Sequence, residues 1–159
     1  MPVAFHIKYL SRENAPNAYP VIRAAYPSVS LDDWLAYYAW ISQPAEARHF
    51  SAGVVSIENA RGYIQGLFSY VTGYGLGRGS VLSVENFVAL DTGDRAAAIR
   101  RLIGAMEDVA HKHGCVTIHT QIPEFWITVT AEKYGVHAHL ADAGHDREMV
   151  RFSKFLRPG

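Results

Sequence analysis

Apolar and polar residues alternate through residues 3–10, which carry Phe5, Ile7 and Tyr9, so the chain is expected to open with a strand. Residues 11–26 hold a weaker helical pattern interrupted by Pro16 and Pro20, which leaves open one irregular helix or two short ones. A clearer helix follows. Ser30 suits the N-cap, Asp33 stands where its carboxylate meets unpaired amides, and Leu31, Trp34, Leu35, Tyr38 and Ile41 recur at helical spacing. Period two returns in residues 50–57 and 63–71, separated by the polar turn ENARG ending in Gly62, as in a hairpin. After the glycine-rich GYGLGRG a third such segment spans residues 80–90, and the three read as an antiparallel meander.

The longest helix is predicted over residues 94–113. Its apolar stripe is Ile99, Leu102, Ile103, Met106, Val109 and Ala110, and Gly114 ends it. Residues 115–122 read as a strand with Val116, Ile118, Thr120 and Ile122 on one face. Beyond Pro123, residues 125–134 are expected to be helical up to Gly135, against the β-branched Thr128, Val129 and Thr130. Residues 137–141 and 148–156 read as a final pair of strands. The long helix lets the strands on either side of it lie parallel through a crossover, while those before it pair antiparallel. The expected class is α/β, or α+β by a stricter definition: a mixed sheet with helices on both faces.

A chain of 159 residues, 49% of them hydrophobic, suits one domain over 1–159 with a substantial core. Its 15 basic and 15 acidic residues cancel, which argues against nucleic acid as a partner. No run of like charge suggests a membrane-surface patch, and no apolar run is long enough to cross a bilayer. No secretory signal is visible, and a cytoplasmic location is expected. The single cysteine, Cys115, falls in an apolar run and reads as a buried structural thiol.

The order of elements resembles that of the GNAT superfamily, the acetyl-CoA-dependent N-acetyltransferases, over nearly the whole chain. VENFVALD resembles the family's fourth strand, DRAAAIRRLIGAMEDVAHKHGC its third helix, VTIHTQI its fifth strand and AEKYGVHAHL the tail in which a helix ends and the next strand begins. The resemblance implies a mixed central sheet of six to seven strands flanked by about four helices. It also implies acetyl-CoA as acyl donor and a small-molecule or peptide amine as acceptor.

In that family the opening turn of the third helix reads (Arg or Gln)-x-x-Gly-x-(Gly or Ala) and faces the diphosphate. Unpaired amides and the helix dipole favour an anion there. Here Asp94, Arg95, Ala96, Ala97, Ala98 and Ile99 fall across the motif, with Ala97 at the first glycine and Ile99 at the last small residue. The reading requires the Ile99 side chain to stay clear of the turn and the Asp94 carboxylate not to occupy its donors. Arg95, Arg100 and Arg101 offer compensating positive charge. The plainer alternative makes Asp94 a helix cap and the arginines a solvated face.

The implied chemistry needs few side chains. Backbone N–H groups in Phe87, Val88 and Ala89 match the stretch that steadies the developing oxyanion. Glu85 is the first candidate for the general base and His119 the second. The family's proton-donating tyrosine falls at Ala131, leaving Tyr134 one turn later, which also suits core packing. In WLAYYAW, Trp34 and Tyr38 are expected to face the core. Tyr37 and Trp40 lie nearer the other side, bordering an acceptor pocket or a homodimer interface, and Tyr19, Tyr26 and Tyr37 are the candidates for the acceptor wall.

GYGLGRG lacks the Lys-Ser/Thr ending of a P-loop and reads as a hairpin loop. No metal is expected. His111 and His113 point to different helix faces, and His137, His139 and His145 have no completing ligand spacing. Two further readings remain: a non-catalytic member of the same fold binding another ligand or a protein, and an unrelated ligand-binding α+β domain.

Overall fold

Five strands pair in chain order in one sheet: β1 (His6–Tyr9), β2 (Ala52–Glu58), β3 (Ile64–Gly75), β4 (Gly79–Ala89) and β5 (Thr117–Thr120). The computed structural model in which they are seen describes residues 4–91, 93–123 and 135–156. The first four strands are antiparallel neighbours, and β5 lies parallel to β4. The helices are α1 (Tyr19–Ala25), α2 (Leu31–Ile41), α3 (Arg95–Lys112) and α4 (Val136–Asp142), with 3-10 turns at Ala15–Ala18 and Ala45–Ala47.

Local chemistry sets these elements. Pro16 and Pro20 each stand in the opening residues of a piece, so the stretch splits into a 3-10 turn and α1, the two-helix option. Ser30 and Asp33 close a reciprocal capping box on α2, with Asp33 N–H to Ser30 Oγ and Ser30 N–H to Asp33 Oδ2 both at 3.0 Å. Those bonds hold the Asp33 carboxyl below the ordinary carboxylate range. Between β2 and β3, Asn59 Oδ1 accepts from the Arg61 and Tyr63 amides at 2.9 and 3.0 Å. At the far end of α3, Gly114 takes φ +67° and the Cys115 amide returns to the Ala110 carbonyl at 2.8 Å.

Each face of the sheet carries its own apolar layer. On one, the α3 stripe of Ile99, Leu102, Ile103, Met106, Val109 and Ala110 packs on Val55, Ile57, Phe68, Leu82, Val84 and Phe87. On the other, Val21, Ile22, Trp34, Tyr38 and Ile41 cover Val54, Ile64, Leu67 and Val88. Two buried donors tie α2 down: Trp34 Nε1–H to the Ala15 carbonyl at 2.8 Å and the Tyr38 hydroxyl to the Leu10 carbonyl at 2.7 Å. Cys115 is buried, which pushes its thiol pKa up, as a structural role requires.

Several expectations are corrected. The sheet has five strands among the described residues, not six to seven. Residues 137–141 are helical within α4, because Val136 and Leu140, four apart, are the buried positions and the alternation of His137 and His139 misleads. Residues 148–156 join no ladder among the described residues and carry Phe152 and Phe155 exposed. An alternating pattern becomes a strand only where an edge receives it. The strand expected over residues 115–122 is shorter, Thr117–Thr120, so Val116 precedes it. GYGLGRG does form the β3–β4 hairpin, with only residues 76–78 outside the ladder. The helix expected at residues 125–134 lies outside the described residues. None of the described helices is long and apolar enough to cross a membrane.

Candidate active site

The ladder between the two parallel strands ends part-way along β4. β4 pairs with β5 only from Val81 to Val84, and the Gln121 amide gives the last bond, to the Val84 carbonyl at 2.9 Å. Beyond it β4 continues to Ala89 along β3 alone, with no strand on its other side among the described residues. Just past the end of that ladder the β3–β4 register slips. Leu67 faces Val88 and Ser69 faces Glu85, so Asn86 and Phe87 together oppose Phe68 in a β-bulge. Asn86 takes φ +55°, the left-handed value that asparagine tolerates better than most residues. The Leu90 amide bonds Gln65 on β3 at 2.8 Å, so ladder alternation turns the amides of Phe87 and Ala89 to the open edge.

A polar network sits at the bulge. The Tyr37 hydroxyl donates to Ser69 Oγ at 2.8 Å, and Ser69 Oγ donates to the Glu85 carbonyl at 3.1 Å. Asn86 Nδ2 donates to Ser69 Oγ at 3.0 Å and to the Tyr37 hydroxyl at 3.1 Å. Beside it lies a cavity of about 270 Å³ lined by Tyr37, Trp40, Ser69, Tyr70, Val71, Ser83, Glu85 and Gln121. Arg151, from the irregular C-terminal stretch, reaches Glu85 Oε1 at 3.8 Å and bonds the side chain of Gln121. Tyr26, the C-cap of α1, is held near this group: burial, then the Glu85 charge, then Tyr37 push its phenol up to about 12. Burial also raises Tyr37, with Glu85 adding to it and the hydrogen bonds from Ser69 and Asn86 opposing.

A pH test follows. Tyr26 and Tyr70 are both pushed to about 12 from the ordinary 10.0, chiefly by burial. The fold therefore favours the protonated phenols, so their stabilisation is complete below pH 10 and is lost as pH rises through 12. Melting temperature followed from pH 9 upward should fall steeply above about pH 10. The Tyr26→Phe, Tyr70→Phe double variant should fall less steeply, and an unchanged slope would refute this assignment.

The open edge of β4 leads to the start of α3. Asp94 is the N-cap, its Oδ1 accepting from the Ala97 amide at 2.9 Å and its carbonyl from the Ala98 amide at 3.1 Å. The amides of Arg95 and Ala96 precede the first intrahelical bond and have no partner among the described residues. Ile99 is fully buried in the core, so it does not obstruct the turn, whereas Asp94 takes one of the donors it was required to leave. Arg95 Nε is buried with no partner among the described residues, and Arg100 is exposed.

No protein-family model matches the chain, and no curated protein matches it by sequence. Solved structures do. Aminoglycoside N-acetyltransferase AAC(6')-Iy, in complex with CoA, superposes with a TM-score of 0.74 at 16% identity, covering 98% of this chain and 97% of that one. The chain has the GNAT fold. Aminoglycoside 6'-N-acetyltransferase AAC(6')-Ih from Acinetobacter baumannii gives 0.72 at 13% identity, with 97% and 100% covered. Glucosamine-6-phosphate N-acetyltransferase from Arabidopsis thaliana gives 0.68 at 14%, with 97% and 99% covered.

Within this GNAT fold the structure brings Glu85, Tyr26 and Tyr37 together beside the bulge, and the Phe87–Val88–Ala89 end of β4 is followed in the chain by the α3 turn. His119 lies opposite Ser83, hence on the same face as Glu85, but outside the cavity lining, with its Nε2 buried and unpaired among the described residues. Tyr134 lies outside the described residues. Tyr19 turns its hydroxyl to the Val29 carbonyl at 2.8 Å. Sequence reasoning missed Ser69, Asn86, Gln121 and Arg151. Asn86 had a signal: an asparagine inside VLSVENFVAL is poorly suited to a strand and well suited to a left-handed bulge. Among the described residues no group of three or more His, Cys, Asp or Glu side chains is arranged to hold a metal ion.

Proposed function

We propose that this protein is an N-acyltransferase that moves an acetyl or other short acyl group from CoA to an amine. The observation that carries the reading is that the β4–β5 ladder ends at Val84, next to a β4 bulge beside the Glu85 cavity, while β4 itself runs on to Ala89 shortly before the α3 N-terminus. Its arrangement matches the demands of the reaction. The extended donor pairs with the free β4 edge at Phe87, Val88 and Ala89. Asp94 occupies the Ala97 amide, so the diphosphate is left the Arg95 and Ala96 amides, in a turn whose small Ala97 and Ala98 side chains let it approach the backbone, with Arg95 and Arg100 supplying charge. The unpaired Arg95 Nε supports an anion there.

The acceptor lies against Tyr26 and Tyr37 with its amine toward Glu85. Glu85, directly or through water, takes the proton from the ammonium, and His119 is the alternative base. The freed amine attacks the thioester carbonyl, and a β4 amide, at Phe87 or Ala89, donates to the oxygen as it gains charge. The C–S bond then breaks as the amide forms, and the leaving thiolate is protonated, with Tyr134 the proposed donor.

The aminoglycoside acetyltransferases above make polyamine sugars a rational first acceptor panel. Acetyl-CoA at 100 times its dissociation constant should stabilise the fold by about 2.7 kcal/mol, a rise in melting temperature of roughly 5–10 °C. No shift at millimolar acetyl-CoA, with the protein folded, would overturn the reading.

A further inference from the structure

We propose that Asn86 is a positioning residue: its side-chain amide locks the β4 bulge so that the strand edge beyond it meets the acyl carbonyl, and it keys that edge to the acceptor wall through Tyr37. This inference rests on the acyltransfer reading of the same site.

Three observations converge on it. Asn86 is the one non-glycine residue with positive φ among the described residues, +55°, and it stands at the register slip. A bulge held only by backbone has alternatives, because Asn86 and Phe87 face the single residue Phe68 and the slip can move along the strand. The side chain removes that freedom. Nδ2 lies within hydrogen-bond distance of two oxygens, Ser69 Oγ at 3.0 Å and the Tyr37 hydroxyl at 3.1 Å, which are themselves bonded at 2.8 Å.

The partners are themselves fixed. Ser69 is 1% exposed, and its hydroxyl accepts from Tyr37 while donating to the Glu85 carbonyl, the residue before the slip. The loop of bonds thus joins β3, β4 and α2 around one left-handed residue. The same bonds aim Tyr37 at the cavity that Glu85 lines. A network that only satisfied buried polar groups would have no need to include the residue at the slip. Placed here, it fixes two things that acyl transfer needs in register: the strand edge that receives the thioester and the wall that receives the amine.

The test is isotope-edited infrared spectroscopy of acetyl-CoA carrying ¹³C at the thioester carbonyl, bound at saturation to the full chain. In the wild type the carbonyl band should lie below its free frequency and be narrow. Asn86→Ala should return the band toward the free position and broaden it, and should weaken acetyl-CoA binding more than binding of CoA, which has no acyl carbonyl. Asn86→Gly keeps the backbone conformation without the amide, and should fall between the two. Should Asn86→Ala not fold, Tyr37→Phe removes one arm of the network from α2 without altering either strand and should broaden the band in the same sense.

A wild-type protein that binds no acetyl-CoA overturns the transferase reading and this role with it. A wild type that binds, with an unshifted band, or variants whose bands match the wild type, overturn the role of Asn86 while leaving that reading in place. Melting temperatures of the same samples report folding separately, so loss of stability without loss of the carbonyl shift also counts against it.

Discussion

Replacing Glu85 with glutamine should lower turnover about 10²- to 10⁴-fold, the range that loss of a general base covers, without weakening acetyl-CoA binding. The side chain lines the cavity beside the bulge, together with Tyr37, Trp40, Ser83 and Gln121. Little stability should be lost. The one ion pair Glu85 makes among the described residues is with Arg151 at 3.8 Å, between side chains 44% and 67% exposed, and such a pair contributes about 0–1 kcal/mol. Thioester consumption by the best amine of a polyamine-sugar panel, beside a melting curve and an acetyl-CoA titration, separates the effects. Turnover within a few-fold of wild type would move the base to His119. In that case His119→Gln should show the loss that Glu85→Gln did not.

The parts of this molecule that were legible in the sequence are those fixed by short-range physics. The stripe from Ile99 to Ala110 gave α3 its bounds to within a residue, and Ser30 with Asp33 marked α2. The meander was legible because residues 50–90 repeat period two between turn residues. The sheet's partition at Val84 was not, since it depends on where β5 stops giving hydrogen bonds, a contact between residues more than thirty apart. Asn86 carried a propensity signal, but its partners Ser69 and Tyr37 stand 17 and 49 residues away, and only register brings them together. The C-terminal misreadings have the same origin. Val136 and Leu140 form a helical face because α3 is there to receive it, and residues 148–156 remain irregular because no described edge receives them.

The largest loss of stability is expected from Phe68→Ala. Phe68 is fully buried, its ring stacked on that of Phe87 with centroids 6.4 Å apart and planes 11° apart, in the cluster that holds Ile99 and Leu102. Truncating such a phenylalanine costs about 3–5 kcal/mol, part of it transfer free energy and part the unfilled cavity. That is a large share of the roughly 5–15 kcal/mol by which domains are stable. The effect should reach the site as well, because Phe68 is the residue that Asn86 and Phe87 jointly oppose, and the cavity opens directly beneath the bulge. Denaturant unfolding should show a lower midpoint with an unchanged slope, and Phe68→Leu, which keeps most of the apolar volume, should lose less. Acetyl-CoA affinity measured where the variant is still folded should fall together with stability, since the strand edge proposed to receive the thioester loses its support. A cost below about 1 kcal/mol would mean that the two rings can collapse onto α3 without strain, and that the bulge is held from the Ser69 side alone.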